Sequence, residues 1–220
     1  MGKKHVLITA KEERWLNFKK IVESAGYRVS CIPFIKTEPA ELPEIPCCDY
    51  VFFNSPSSVR HFVNSGIKTG KMKAAALAAG TAAELKKHGI TPFFKGKDTA
   101  EQSVLEFKKL LKHGETVLIP RSDRSKRRLQ KALSEDQYRE FVLYNTRTLN
   151  KKLNSQFDAV VFTSPGNVIG FITSGNKLPE VCISIGNTTA KELELHQISS
   201  VISRGYSPKD LAETVVRELK

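Results

Sequence analysis

One stretch of this chain occurs twice. Phe53-Asn54-Ser55-Pro56-Ser57-Ser58-Val59-Arg60-His61-Phe62-Val63 aligns without a gap on Phe162-Thr163-Ser164-Pro165-Gly166-Asn167-Val168-Ile169-Gly170-Phe171-Ile172, 109 positions further on. Each copy runs from a strand-like segment into Ser-Pro. It then places apolar side chains at i, i+3 and i+4 (Val59/Phe62/Val63 and Val168/Phe171/Ile172), the buried face of an amphipathic helix. Two further units follow in the same order. Ala79-Gly80-Thr81-Ala82-Ala83 answers to Ile185-Gly186-Asn187-Thr188-Thr189, and the Thr99…Gln102 helix start answers to Ser207-Pro208…Asp210. Three matched units in one order imply a duplicated fold.

Short apolar, β-branched runs alternate with amphipathic stretches along all 220 residues. Strands are expected at His5–Thr9, Arg28–Phe34, Tyr50–Phe53, Ala74–Ala79, Thr91–Phe94, Thr116–Pro120, Phe141–Thr148, Ala159–Thr163, Val181–Ile185 and Ser199–Ser203. A helix is expected over Glu13–Ala25, where Trp15, Phe18, Val22 and Ala25 recur at helical spacing and Gly26 stands at the C-terminal cap. Glu38-Pro39…Pro43…Pro46 reads as a linker. Strand–helix alternation is the signature of a parallel sheet wrapped by helices, and ten strands exceed one compact open sheet at this length. The expectation is an α/β protein of two domains. A discontinuous domain of residues 1–35 plus 149–220 balances one of residues 38–145, with linkers near 35–38 and 145–148.

Charge narrows the partner. With 35 Lys and Arg against 23 Asp and Glu, the chain carries a formal charge of +12, which favours an anionic ligand. The densest basic stretch, Arg121 to Lys131, reads as a solvated helix start. It has no interleaved aromatic residue, and no zinc-finger or RNA-recognition signature accompanies it, which argues against nucleic acid. No apolar run reaches the roughly 18 residues of a membrane helix, and the first residues do not form a signal peptide. Cys31, Cys47, Cys48 and Cys182 have no metal-type spacing and are expected as reduced thiols in a cytoplasmic protein. The five histidines are scattered, each expected at the surface or in a cap. No dinucleotide fingerprint, P-loop or nucleophile elbow is present, so the expectation is a protein without metal or cofactor.

The repeated turns carry what chemistry remains. Pro at the first helical position costs no hydrogen bond, and Ser55 and Ser164 are natural N-caps. A helix N-terminus offers unpaired N–H groups and partial positive charge to a carboxylate or phosphate. Gly80 and Gly186 open similar turns, at which a ligand can approach the backbone. Ordinary capping explains any one of these turns by itself; several facing one cleft would grip several anions through backbone amides.

Taken together, these residues resemble the uroporphyrinogen-III synthase family. The landmarks are Phe53-Asn54-Ser55-Pro56, Ala79-Gly80, Val117-Leu118-Ile119-Pro120-Arg121, Val142-Leu143-Tyr144-Asn145-Thr146, Phe162-Thr163-Ser164-Pro165, Ile185-Gly186-Asn187-Thr188-Thr189-Ala190 and the Ser207-Pro208…Leu211-Ala212 ending. The resemblance implies two flavodoxin-like parallel-sheet domains joined by a two-stranded linker. It also implies a cofactor-independent lyase that closes hydroxymethylbilane, a linear tetrapyrrole with eight carboxylates, to uroporphyrinogen III with ring D inverted. By position Tyr144 matches the linker tyrosine and is the candidate catalytic residue, assisting departure of the substrate hydroxyl. Ser55, Ser164, Thr188 and Thr189, with Gly80 and Gly186 through their N–H groups, match carboxylate-binding turns. The same turns add Ser57, Thr81, Gly166 and Asn187, and Arg121 matches a basic position after a Pro-ended strand. Ala82-Ala83 stand where the second copy has Thr188-Thr189, so the first copy lacks those hydroxyls. The partner expected is the small-molecule substrate alone, with no nucleic acid and no membrane, and the protein is expected to be a monomer. The alternative is a non-catalytic two-domain binding module for an anionic small molecule.

Overall fold

A computed structural model describes residues 2–97 and 99–220. In chain order the elements are β1 (His5–Ile8), α1 (Leu16–Ser24), β2 (Arg28–Cys31), β3 (Ile35–Pro39), β4 (Tyr50–Phe53), α2 (Pro56–Asn64), β5 (Lys73–Ala76) and α3 (Ala79–Lys87). Then follow β6 (Phe94–Lys95), α4 (Ala100–Leu110), β7 (Val117–Ser122), β8 (Tyr138–Thr148), β9 (Ala159–Phe162), α5 (Pro165–Thr173), β10 (Val181–Ser184), α6 (Asn187–Leu195), β11 (Val201–Ile202) and α7 (Pro208–Leu219). Among the described residues no helix is long and apolar enough to cross a membrane.

The chain divides into two compact units, Met1–Lys36 with Arg147–Lys220, and Thr37–Thr146. The divisions fall inside β3 and β8, the two strands in which the chain passes from one unit to the other. The discontinuous unit holds a five-stranded sheet in the order β11-β10-β9-β1-β2, with parallel pairing throughout. This is the doubly wound order of flavodoxin. Its strands are buried on both faces, so they read as unbroken apolar runs such as Val6-Leu7-Ile8 and Ala159-Val160-Val161-Phe162. One layer is packed by Trp15, Phe18 and Val22 of the first helical segment with Leu211 and Val215 of α7. The opposite layer is packed by Phe34, Val168, Phe171 and Leu193.

The continuous unit holds a six-stranded sheet in the order β3-β8-β7-β4-β5-β6, with β8-β7-β4-β5-β6 paired in parallel. From β4 the chain moves outward to β5 and β6, then returns to place β7 on the other side. The strand order therefore reverses between β4 and β7, and in open α/β sheets the crevice beyond the carboxyl ends of such a strand pair is where ligands sit. In the discontinuous unit the corresponding pair is β1 and β9.

Several expectations need correcting. Glu38-Pro39, read as the start of a linker, end strand β3, while the rest of that stretch up to Pro46 is free of helix and strand, and Phe34 lies in the loop before β3 rather than in β2. Proline is tolerated there because β3 is the edge of its sheet. The expected Glu13–Ala25 helix is broken: Glu12–Arg14 form a 3-10 turn and α1 begins at Leu16, while Gly26 supplies the expected left-handed end at φ +93°. Thr91–Phe94 and Ser199–Ser203 shrink to the two-residue strands β6 and β11. Arg121–Lys131 is no helix start. Arg121 and Ser122 end β7, and a turn-rich loop leads into a 3-10 turn at Gln130–Ala132.

Candidate active site

The β4–α2 turn is fixed by its own sequence. Ser55 caps α2, its Oγ accepting the Ser58 N–H at 3.2 Å, while Ser58 Oγ accepts the Ser55 N–H at 3.2 Å and donates to the Ser55 carbonyl at 2.7 Å. Pro56 occupies the first turn, where its missing N–H is harmless. Just before the cap, Asn54 keeps its Nδ2 buried without a hydrogen-bond partner among the described residues. An unsatisfied buried amide donor costs about 1–3 kcal/mol, and an acceptor from a ligand would remove that cost.

Across from this turn, β7 ends at Arg121 and Ser122, beside β8. The pairing slips there: Arg121 opposes Val142, but Ser122 opposes Tyr144, leaving Leu143 as an extra residue. Such a bulge re-aims the side chains that follow it. Alternate residues of a strand face opposite ways, yet Leu143 and the adjacent Tyr144 are both buried in the same apolar cluster with Phe53, Val59 and Phe62. The bulge is what turns Tyr144 inward.

Glu140 organises the basic side. Its carboxylate accepts from Arg121 Nε at 2.9 Å, Arg127 Nη2 at 2.5 Å and Gln130 Nε2 at 2.7 Å. The 123–128 loop is tied down elsewhere too: Arg128 Nε donates to Glu101 Oε1 at 2.8 Å, the Thr146 N–H to Asp123 Oδ1 at 2.9 Å, and Arg127 holds a left-handed φ of +52°. Arg121 Nη1 also donates to the Ser122 carbonyl at 3.1 Å, so the guanidinium is fixed through Nε and Nη1 and presents its Nη2 N–H groups to a carboxylate.

Together these parts enclose a cavity of about 240 Å³ within the continuous unit, at the carboxyl ends of β4 and β7. Its lining includes Asn54, Ser55 and Ser58 on one side and Arg121, Ser122 and Tyr144 on the other. Lys126, Arg127 and Arg128 bring the cationic side chains to four, and no carboxylate lines it among the described residues. Tyr144 is 7% exposed. Burial pushes its phenol above the ordinary tyrosine range, partly offset by the neighbouring Ser55 and Ser122 hydroxyls and by the positive charge of Arg60. The phenol is therefore protonated at neutral pH. His61 of α2 lies flat on it, with ring centroids 4.3 Å apart and planes 13° from parallel.

Of the sequence-selected residues, Ser55, Arg121 and Tyr144 share this cavity. Ser57 stands in the first turn of α2 and accepts from Arg60 Nη2 at 2.9 Å; Arg60 also pairs with Glu84 at 3.2 Å. Gly80 is exposed in the first turn of α3, where a Cβ would lie 3.9 Å from Pro56, so the two helix starts are neighbours. Thr81 is buried. The remaining candidates belong to the discontinuous unit. Ser164 caps α5, and Gly166 lets that helix sit against Ile35, whose Cγ2 would be 3.2 Å from an added Cβ. Gly186 is the N-cap of α6, followed by exposed Asn187 and Thr188 and buried Thr189, with the Tyr206 ring against Gly186.

The two duplicated crevices differ. At β1 and β9 the polar groups satisfy one another: Thr9 Oγ1 donates to the Val161 carbonyl at 3.0 Å and accepts the Thr163 N–H at 3.1 Å, and Thr163 Oγ1 donates to the Thr9 carbonyl at 2.7 Å. At β4 and β7 there is a cavity with an orphan donor instead. Sequence reasoning did not select Asn54, Ser122 or His61. Asn54 could have been found as the residue between a buried strand and an N-cap. His61 carried no local signal.

The chain matches the family model for uroporphyrinogen-III synthase HemD over residues 17–213. No curated protein matches it. Among solved structures it is similar to uroporphyrinogen-III synthetase from Helicobacter pylori, with a TM-score of 0.67 and 20% identity over 99% of this chain and 100% of that one. It is also similar to a mutant uroporphyrinogen III synthase from the extremely thermophilic bacterium Thermus thermophilus, with a TM-score of 0.64 and 20% identity over 99% and 100%. These likenesses show a common fold, and the family match covers most of the sequence. The chain belongs to the uroporphyrinogen-III synthase family.

Proposed function

We propose that this uroporphyrinogen-III synthase carries out its proton chemistry at Tyr144, in the cavity between the β4–α2 turn and the end of β7. The family's reaction closes hydroxymethylbilane to uroporphyrinogen III in tetrapyrrole biosynthesis. The hydroxyl leaves as water and needs a proton. Ring D must then react through its substituted carbon, because free bilane closes spontaneously to the uninverted isomer I. A neutral phenol can donate to the departing oxygen, and its buried setting keeps it protonated. The remaining work is positioning. Asn54 Nδ2, the α2 N–H groups and the Nη2 of Arg121 suit a substrate carboxylate, and the basic loop suits an octa-anion.

The observation that carries this reading is that Ser55, Arg121 and Tyr144, distant in sequence, line one cationic cavity at the strand-order reversal. Gly80, Thr81 and Ser57 extend the same side, and Ser164, Gly166, Gly186, Asn187, Thr188 and Thr189 are proposed to hold further carboxylates, mainly through backbone N–H groups. Single alanine changes at Ser55, Ser164 or Thr188 then reduce activity modestly, since backbone donors survive them. The protein is read as a cytoplasmic monomer, in keeping with its four free thiols and with exposed apolar side chains scattered over several elements.

The deciding experiment supplies freshly generated hydroxymethylbilane, oxidises the products and separates the uroporphyrin isomers. Isomer III in excess over an enzyme-free control is expected. Isomer I alone, from folded protein, would leave a binding module for an anionic ligand.

A further inference from the structure

His61 is half-buried on α2, and three elements meet at its imidazole. One face lies on the Tyr144 ring of β8 at 4.3 Å and 13°. Its Nε2 is 3.0 Å from Thr37 Oγ1 on β3. The neighbouring Arg60 is held by Ser57 and Glu84, so the same helical turn is fixed on its other side. A phenol oxygen lies on the ring's own axis, so ring flipping does not move it. Swinging about χ1 does. A flat ring stacked on one face blocks that swing. Leu143, the bulged residue beside Tyr144, gives the local strand less ladder support than a regular strand would have.

We propose that His61 is a positioning residue for Tyr144, its flat ring clamping the phenol so that the hydroxyl stays at the cavity wall beside Ser55 and Ser122. The inference rests on the proposed role of Tyr144 only for its effect on turnover; the clamp itself is a structural statement. His61 touches no reacting atom in this assignment. Its ring acts through shape, so a phenylalanine should serve and an aliphatic side chain of similar size should not.

The test uses the full chain labelled at tyrosine Cζ with carbon-13, the Tyr144 resonance being identified by its loss in Tyr144→Phe. In the parent protein this phenol titrates above the ordinary value of about 10. In His61→Ala, and in His61→Leu, which fills the space without a flat ring, the resonance should shift and titrate closer to that value. His61→Phe should leave both as in the parent. In the isomer assay kcat should fall roughly 10- to 100-fold in the alanine and leucine variants with KM little changed, and recover to within about threefold in the phenylalanine variant, the scale expected for a reacting group displaced by about 1 Å. An unmoved Tyr144 resonance in folded His61→Leu would overturn the clamp. A phenylalanine variant as impaired as the alanine one would also overturn it, assigning the imidazole a chemical part. Full turnover by Tyr144→Phe would sink the proton-donor reading, while the resonance would still report on the clamp.

Discussion

Asn167 reaches out of its own helix to Phe34: its Oδ1 accepts the Phe34 N–H at 2.8 Å, while its Nδ2 donates to Thr163 Oγ1 at 3.1 Å and Ser164 Oγ at 3.0 Å. Ser58, at the matching place in the other repeat, bonds only within its own cap. One amide thus pins the buried Phe34 loop to the start of α5. Asn167→Ala strands a buried backbone donor and should cost about 1–3 kcal/mol in urea denaturation. Ser58→Ala should cost less, because the one N–H it leaves, that of Ser55, is only part-buried. Equal losses would contradict this assignment.

Two glycines should respond in opposite ways to alanine. A Cβ at Gly170 would stand 2.5 Å from the Phe34 carbonyl oxygen and 2.8 Å from its Cβ, backbone-anchored atoms of a fully buried residue. Gly170→Ala should lower stability by about 1–3 kcal/mol or more. At Gly186 the obstacle is the far end of Tyr206, a side chain 73% exposed, and φ is an ordinary extended 175°. Gly186→Ala should leave the melting temperature nearly unchanged, with Tyr206 swung aside.

Tyr144→Phe should retain the fold and lower kcat by about 10²–10⁴, the usual range for a lost general acid. Because burial holds the phenol above the ordinary value of about 10, the alkaline limb of the kcat profile should begin beyond that pH. A limb centred near neutrality would point to a different acid.

Acid should destabilise the protein through two histidines. Burial lowers the His5 imidazole, with Arg28 adding to the effect and Asp158 opposing it; burial, then Arg60, lowers His61. The unfolded imidazoles take up protons at about pH 6.5, the folded ones only at lower pH, so the unfolded state holds more protons across that interval. Stability from these groups is complete above about pH 6.5 and declines as pH falls through the folded values. His61→Phe should flatten that part of the stability curve.

Thiol reactivity should separate the cysteines. Burial pushes Cys182 up to about 11, and Cys31 reaches about 11 through burial with Glu12 adding to it, whereas Cys47 is exposed. At neutral pH the first two carry roughly one part in 10⁴ of thiolate. Titration with a disulfide reagent should therefore modify Cys47 first, and Cys182 only on unfolding.

Much of this architecture could be read before any coordinates. Ser55, Ser164 and Ser207 each cap a helix that begins at the following proline, because Ser-Pro satisfies an N-terminus with local chemistry alone. Tyr50–Phe53 was legible because a doubly covered strand is apolar without alternation. What stayed hidden depended on partners far along the chain. Pro39 argued against strand β3, and only its edge position makes it acceptable. The basic run from Arg121 lacks helix because Glu140 and Glu101 hold its arginines. Tyr144 was legible as a landmark, but the bulge that turns it inward breaks the two-residue period by one, which no local rule marks.

The split of the discontinuous unit into its two segments sets an order of assembly. His5 bonds Asp158 and Val6 pairs with Ala159, so the interior strand β1 gains one of its two neighbours only after the whole of Thr37–Thr146 has been made. On a ribosome adding roughly 5–20 residues per second, the inserted unit has roughly 5–20 s in which to close its own sheet while β1 and β2 wait. The exposed edge of that waiting pair, Val6-Leu7-Ile8, is fully apolar. Newborn chains should therefore be most prone to misassociation in this interval, before β9 emerges to cover it.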